Sequence, residues 1–146
     1  MINISGIENG YVIDHIGAGK SLVIFDMLQL AEYEGQVAII RNAKSKKRGT
    51  KDMIKIEGLV DLDMEMLGFM DDSITVNIIE NGKIKEKKSM VLPKRIKGIA
   101  KCMNPRCITS IEQGLVHEFI LADPEKKIYR CRYCEEKFEE KKQKWI

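Results

Sequence analysis

The sequence offers little from which to build a catalytic site. It has two histidines and four cysteines in 146 residues, and all the cysteines fall into one arrangement described below. No acid pair, Ser-His-Asp set or reactive-cysteine elbow can be assembled from it. Its net charge of +3 is too small to make the whole molecule a generic polyanion binder, so binding must come from local patches. The opening stretch, Met1 to Gly6, lacks the basic and apolar regions of a signal peptide. The most apolar run, Leu22 to Ala31, is broken by Asp26 and Gln29 and is too short to span a bilayer. There is no internal repeat and no low-complexity tract. These absences lead to the expectation of a cytoplasmic protein in a reducing compartment, where disulfides are disfavoured.

What is present is concentrated in the cysteines. Cys102 and Cys107 form a C-x4-C pair, and Cys131 and Cys134 form a C-x2-C pair. Two short-spaced pairs can each offer two thiolates to one ion, and four thiolates suit a tetrahedral Zn²⁺. Such a site has no open position and is structural. Free thiols, disulfides and an iron–sulfur cluster are the competing readings. The stretch from Lys101 to Ile146 is too short to bury much apolar surface and needs a staple to fold. A structural zinc contributes on the order of 10–16 kcal/mol of apparent binding energy, which would supply it. Strands are expected over Leu115 to Leu121 and Lys127 to Arg130, around an Asp123-Pro124 turn. His117, within the first of them, reads as structural.

Upstream, Gly10 to Ile16 is a β-branched run after an Asn9-Gly10 turn signal and predicts a first strand. Leu22, Phe25, Leu28 and Ala31 recur at three-residue steps, which predicts a helix over Lys20 to Glu32, ended by Gly35. Further strands are expected at Gln36 to Arg41, Asp52 to Glu57 and Ser73 to Ile79, with a basic loop at Asn42 to Gly49. A short amphipathic helix is expected at Leu62 to Met70. Asn81-Gly82 is a strong hairpin signal, leading into a fifth strand at Lys83 to Met90. The order β-α-β-β-α-β with one appended strand predicts an α+β, ferredoxin-like domain. Leu92 to Gly98 reads as the linker, dividing the chain into residues 1–98 and a small all-β zinc-binding domain at 99–146.

Three features could carry chemistry. Gly19-Lys20-Ser21 has the ending of a phosphate-binding P-loop, but that motif requires glycine at position 14, where the chain has Asp14. The ordinary reading, a glycine-rich turn into a helix, is preferred. Two basic stretches follow, Arg41 to Lys55 and Lys83 to Lys101. Charge runs are mostly solvated faces; the functional alternative is a polyphosphate site to which strands three and five each contribute a lysine. Finally, Asp14-His15 at a strand end could supply a carboxylate for sugar hydroxyls and an imidazole for phosphate, although a lone histidine is more often structural.

Tyr11 to Ile16, Lys51 to Glu57, Thr75 to Asn77, Leu92 to Ile96 and the cysteine tail through Phe138 occur in an order and spacing that resemble the regulatory chain of aspartate carbamoyltransferase. The resemblance covers essentially the full length. It implies a non-catalytic, allosteric subunit of a pyrimidine-biosynthesis enzyme. The N-terminal domain would bind CTP or UTP as inhibitors and ATP as activator, and pair with a second regulatory chain. The C-terminal domain, holding one Zn²⁺ on Cys102, Cys107, Cys131 and Cys134, would dock on the catalytic chain. By matching positions, Asp14 and Lys55 would lie at the ribose and base, and His15, Asn77 and Lys87 nearer the ribose and phosphates. Ile7, Ile79 and Ile84 would line the pocket around the base. Gly82 stands where the family commonly has a larger residue. Met103 to Arg106 and Cys131 to Glu136 are the stretches expected to face the catalytic chain. The leading alternative is a zinc-ribbon protein that binds nucleic acid, with Tyr129, Tyr133, Phe138 and Trp145 stacking on bases. Such binding would fall steeply with salt.

Overall fold

The computed structural model describes residues 7–46, 49–58 and 60–139. Lys47 and Arg48 of the basic loop, Trp145 and the opening stretch Met1 to Gly6 lie outside the described residues. The chain forms two compact units, Met1–Val91 and Leu92–Ile146.

In the first unit, β1 (Gly10–Ile16), β2 (Val37–Ser45), β3 (Gly49–Glu57), β4 (Thr75–Glu80) and β5 (Lys83–Ser89) make one sheet in the order β2-β3-β1-β4-β5. Every neighbouring pair is antiparallel. With α1 (Ser21–Met27) and α2 (Met64–Met70) as the crossovers, this is the expected α+β arrangement with its appended strand.

Alternation along the strands sorts the side chains onto two faces. Ile13, Ile54, Ile56 and Val76 share one face and are fully buried, as are Ile24 of α1 and Leu67 of α2. On the other face Val12, Met53 and Ile79 form a second apolar cluster with Ile7, against which Ile40 packs. Asn81 and Gly82 take positive φ (53° and 76°), as a tight β4–β5 hairpin of the Asn-Gly type requires.

In the first unit two elements differ from the sequence reading. The helix expected over 20–32 ends at Met27; Gln29 turns left-handed (φ 57°), and Leu30–Glu32 form a single 3-10 turn. The three-residue steps explain the error. Each falls about 60° short of a full helical turn, so Leu22 and Ala31 could not share a face of one continuous helix. Leu22 is exposed, and Ile24 and Leu30 are buried instead. The basic loop is also shorter than expected, because β2 and β3 extend to Ser45 and from Gly49 as a long hairpin.

α2 starts where its chemistry dictates: the Asp63 carboxylate accepts a hydrogen bond from the Met66 N–H at 3.0 Å. Its buried Gly68 lets the helix lie against Val91, whose carbonyl oxygen would be 2.1 Å from a Cβ there.

The second unit contains β6 (Arg95–Lys97), α3 (Ile108–Ile111), β7 (Glu118–Asp123) and β8 (Ile128–Cys131), with sheet order β6-β7-β8. The stretch read as a linker, Leu92 to Gly98, is therefore part of this unit, and the division falls at residue 92 instead of 99. The reason lies in its bonding. Ile96 is buried and pairs with Phe119, the Lys94 carbonyl accepts from the Leu121 N–H, and the Tyr129 hydroxyl donates to the Pro93 carbonyl at 2.5 Å. Arg95 from β6 and Arg132 from the second cysteine knuckle also converge on the buried Glu118, at 3.5 and 3.2 Å. Among the described residues no helix is long and apolar enough to cross a membrane.

Candidate effector site and metal centre

The four cysteines meet at one point. Their Sγ atoms all lie within 4.8 Å of one another, with Cys102–Cys134 at 3.6 Å and Cys107–Cys131 at 3.7 Å. A tetrahedral ion with M–S bonds of ≈ 2.3 Å places its sulfurs about 3.8 Å apart, so the cluster has the spacing of a closed tetrathiolate site. Surrounding groups orient the sulfurs. Cys107 Sγ lies 3.0 Å from the Thr109 hydroxyl, and Cys134 Sγ accepts from the Glu136 N–H at 3.4 Å. His117 Nδ1 accepts from the Cys102 N–H at 3.0 Å, so this histidine positions the first knuckle and is not a ligand. Phe119 and Phe138 pack edge to face beside it, with centroids 5.6 Å apart.

The electrostatics call for a cation. Burial pushes the Cys102 and Cys131 thiols upward. Burial also acts upward on Cys107, but the Thr109 hydroxyl and N–H outweigh it and bring this thiol down to about 7. Four sulfurs this close cannot all be thiolates without a compensating positive charge. With an ion, all four can be.

The second site lies on the face of the first sheet that carries Val12, Met53 and Ile79. Register places Lys55 opposite Val12, Val12 opposite Asn77, and Asn77 opposite Lys87, so these four residues form one row across β3, β1, β4 and β5. The adjacent row holds Asp14, Thr75 and Ser89. Ile79 pairs with Ile84 and, with Ile7, belongs to the apolar cluster at the floor of this face. Ile84 is half-exposed on the edge hairpin.

A one-residue bulge in β1 allows Asp14 and His15 to lie on the same face. Ile13 pairs with Ile54 and Ile16 with Asp52, so three steps on β1 match two on β3. His15 takes a left-handed φ of 59°, and its Nδ1 lies 3.2 Å from the Thr75 hydroxyl and 3.9 Å from Asp14. The other Asp14 oxygen pairs with Lys51 Nζ at 2.9 Å. His15, Lys51, Thr75, Lys87 and Ser89 line a cleft of about 410 Å³.

Sequence reasoning missed Lys51 and Thr75. Lys51 stands four residues before Lys55 on the same strand, hence on the same face, and this spacing could have identified it. Thr75 faces Asp14 only through the strand register, which no local pattern gives. The Gly19-Lys20-Ser21 turn is confirmed as structural. Its N–H groups point at a protein carboxylate, with Asp52 accepting from the N–H of Gly19 and of Ser21 and from the Ser21 hydroxyl.

Comparison with known proteins identifies the family of each unit. Residues 2–91 match the allosteric domain of the aspartate carbamoyltransferase regulatory chain, and residues 94–144 match its metal binding domain. The chain belongs to this regulatory-chain family. It is 52% identical over 136 residues to the aspartate carbamoyltransferase regulatory chain of Clostridium botulinum, covering 93% of each. It is 49% identical to that of Clostridium tetani, covering 93% of this chain and 95% of the relative. Identity to the Bifidobacterium longum chain is 43%, covering 92% and 97%. The protein is thus the non-catalytic, regulatory subunit type, with an allosteric and a metal-binding domain. A catalytic chain is its implied partner.

Proposed function

We propose that this regulatory chain senses nucleoside triphosphates on the open face of its first sheet, with CTP and UTP inhibiting and ATP activating. The observation that carries this reading is Asn77. The residue is 7% exposed, and its Oδ1 has no hydrogen-bond partner among the described residues. A buried acceptor left unsatisfied costs about 1–3 kcal/mol, which a ligand donor would recover.

Around it the face combines an apolar floor for a base with several cations for phosphates. Asp14 and Lys55 serve the ribose and base, and His15, Asn77 and Lys87 the ribose and phosphates. Ile7, Ile79 and Ile84 surround the base. Lysine ammonium groups suit a triphosphate as point charges. Effector binding shifts a balance between quaternary states in proportion to its differential affinity for them. The signal passes to the catalytic chain through Leu92 to Ile96 and the second unit.

The ion is Zn²⁺, one per chain. An all-sulfur closed tetrahedron favours it among the common divalent ions, and its role is to hold the docking unit folded. Positional reasoning assigned catalytic-chain contact to Met103 to Arg106 and Cys131 to Glu136. The exposed apolar side chains keep Met103 and Tyr133 and extend the surface through Ile108, Ile111 and Val116. The first unit pairs with a second regulatory chain, and the assembly works in the cytoplasm.

Calorimetric titration of the purified chain with CTP and ATP tests the effector site. A Lys55→Ala, Lys87→Ala double variant is expected to lose most of the affinity; unchanged binding would refute the pocket. Metal analysis should return one zinc per chain.

A further inference from the structure

Asp52 is fully buried and is placed in neither site. It sits on β3 between Lys51 and Met53, on the opposite face from the effector residues, and both neighbouring strands bulge opposite it. On β1 the extra residue falls between Ile13 and Ile16; on β2 it falls between Ile40 and Ala43. Each bulge contains a non-glycine residue at left-handed φ, His15 at 59° and Asn42 at 59°. Such conformations are unfavourable and persist only where the surroundings impose them.

The Asp52 carboxylate bonds directly to the β2 bulge and to the turn that follows β1. Its Oδ1 accepts from the Asn42 N–H at 3.0 Å, fixing the β2 bulge. Its Oδ2 accepts from the Ser21 hydroxyl at 2.6 Å and the Gly19 N–H at 3.1 Å, fixing the turn that continues β1. The β1 bulge brings the His15 ring to Thr75, and the residue next to Asp52 in the chain is Lys51, the partner of Asp14.

We propose that Asp52 is a positioning residue for the effector site, a buried carboxylate that holds two bulges in register so that His15, Asp14 and Lys51 converge on the ligand. This rests on the nucleotide-binding reading above. Asp52 touches no ligand; it acts through the backbone. Asp52→Asn keeps the shape but replaces one acceptor with an amide donor facing N–H or O–H groups, so either the β2 bulge or the turn after β1 must relax.

The test compares wild type, Asp52→Asn and Ser21→Ala, the last losing a single bond. A stability control, Ile24→Val, lies in the core on the helix-bearing side. CTP is the calorimetric probe, and the His15 ring resonances are followed by NMR without ligand. Asp52→Asn should weaken CTP binding by about tenfold, the equivalent of one misplaced ionic hydrogen bond, and shift the His15 resonances. Ser21→Ala should do both to a smaller degree, and Ile24→Val neither. If Asp52→Asn fails to fold, Ser21→Ala decides. Unchanged affinity and unchanged His15 resonances overturn the proposal, as does an equal loss of affinity in Ile24→Val. If wild type binds neither CTP nor ATP, the nucleotide reading falls, and the His15 resonances alone then decide whether Asp52 aims this side chain.

Discussion

Removing the metal should unfold the second unit and leave the first intact. Among the described residues, the large apolar side chains buried in the second unit are few: Ile96, Ile99, Phe119 and Tyr129. Each contributes about 1.5–3 kcal/mol on burial, so together they are at most comparable to the 10–16 kcal/mol typical of a structural zinc ion. Stripping the ion deletes the largest single contribution. It also leaves four sulfurs within 4.8 Å of one another, three of them on buried residues. The first unit has its own two apolar clusters and owes nothing to the ion. The assay is amide hydrogen exchange before and after treatment with a strong chelator. Protection should collapse in β6, β7 and β8 and persist in β1 to β5. The stripped chain should no longer assemble with the catalytic chain but should bind CTP nearly as before. Continued protection of β7 and β8 in verified metal-free protein, together with normal assembly, would refute the reasoning.

Other perturbations give separate readings. Lys51→Ala strands the Asp14 carboxylate, only 14% exposed, where the effector's ribose is proposed to lie. CTP affinity measured by calorimetry should drop by about tenfold or more, as expected when one member of a shielded ion pair is removed. Asp63→Ala removes the cap of α2 and should cost about 1 kcal/mol in urea unfolding, whereas Asp63→Asn should cost little. Gly68→Ala places a methyl 2.1 Å from the Val91 carbonyl oxygen; the forced shift should cost about 1–3 kcal/mol in the same assay. Burial acts upward on Asp52 and Asp71, but the Ser21 and Ser73 hydroxyls and nearby N–H groups outweigh it and hold both below the ordinary 3.8. Their stabilisation is therefore fully present above the ordinary value and is lost as pH falls through the lowered folded values. Urea midpoints measured across the acid range should show this loss, and Asp52→Asn should flatten it.

The fold was largely legible because its signals are local. β1 begins and ends where the β-branched run does, and Asn81-Gly82 marks the β4–β5 hairpin, although a register shift beyond it brings Lys87 instead of Glu86 opposite Asn77. Four cysteines in two short pairs have few other uses. Errors arose where a local pattern met a tertiary demand. The three-residue steps after Lys20 suggested one long helix, but Leu30 had to return to the core and Gln29 turned left-handed to allow it. Leu92 to Gly98 looked like a linker because its charges and single proline carry no strand periodicity. Its role appears only when Ile96 finds Phe119 and Arg95 finds Glu118.

The proposed effector face shows the same limit more sharply, because its geometry depends on register slips. In an unbulged β1, Asp14 and His15 would point to opposite faces, and the pair would be a coincidence of sequence. One inserted residue brings both to the same side, while Ile13 and Ile16 stay buried together on the other. No composition or periodicity argument predicts that slip. The proposed determinant sits on a different strand: the backbone donors Asn42 and Gly19 are 23 residues apart, yet both point at Asp52. By this proposal a residue that looks like one more acid in a basic stretch is the point at which sequence encodes the site's geometry, and the His15 resonances of Asp52→Asn provide a direct measure of how strongly it does so.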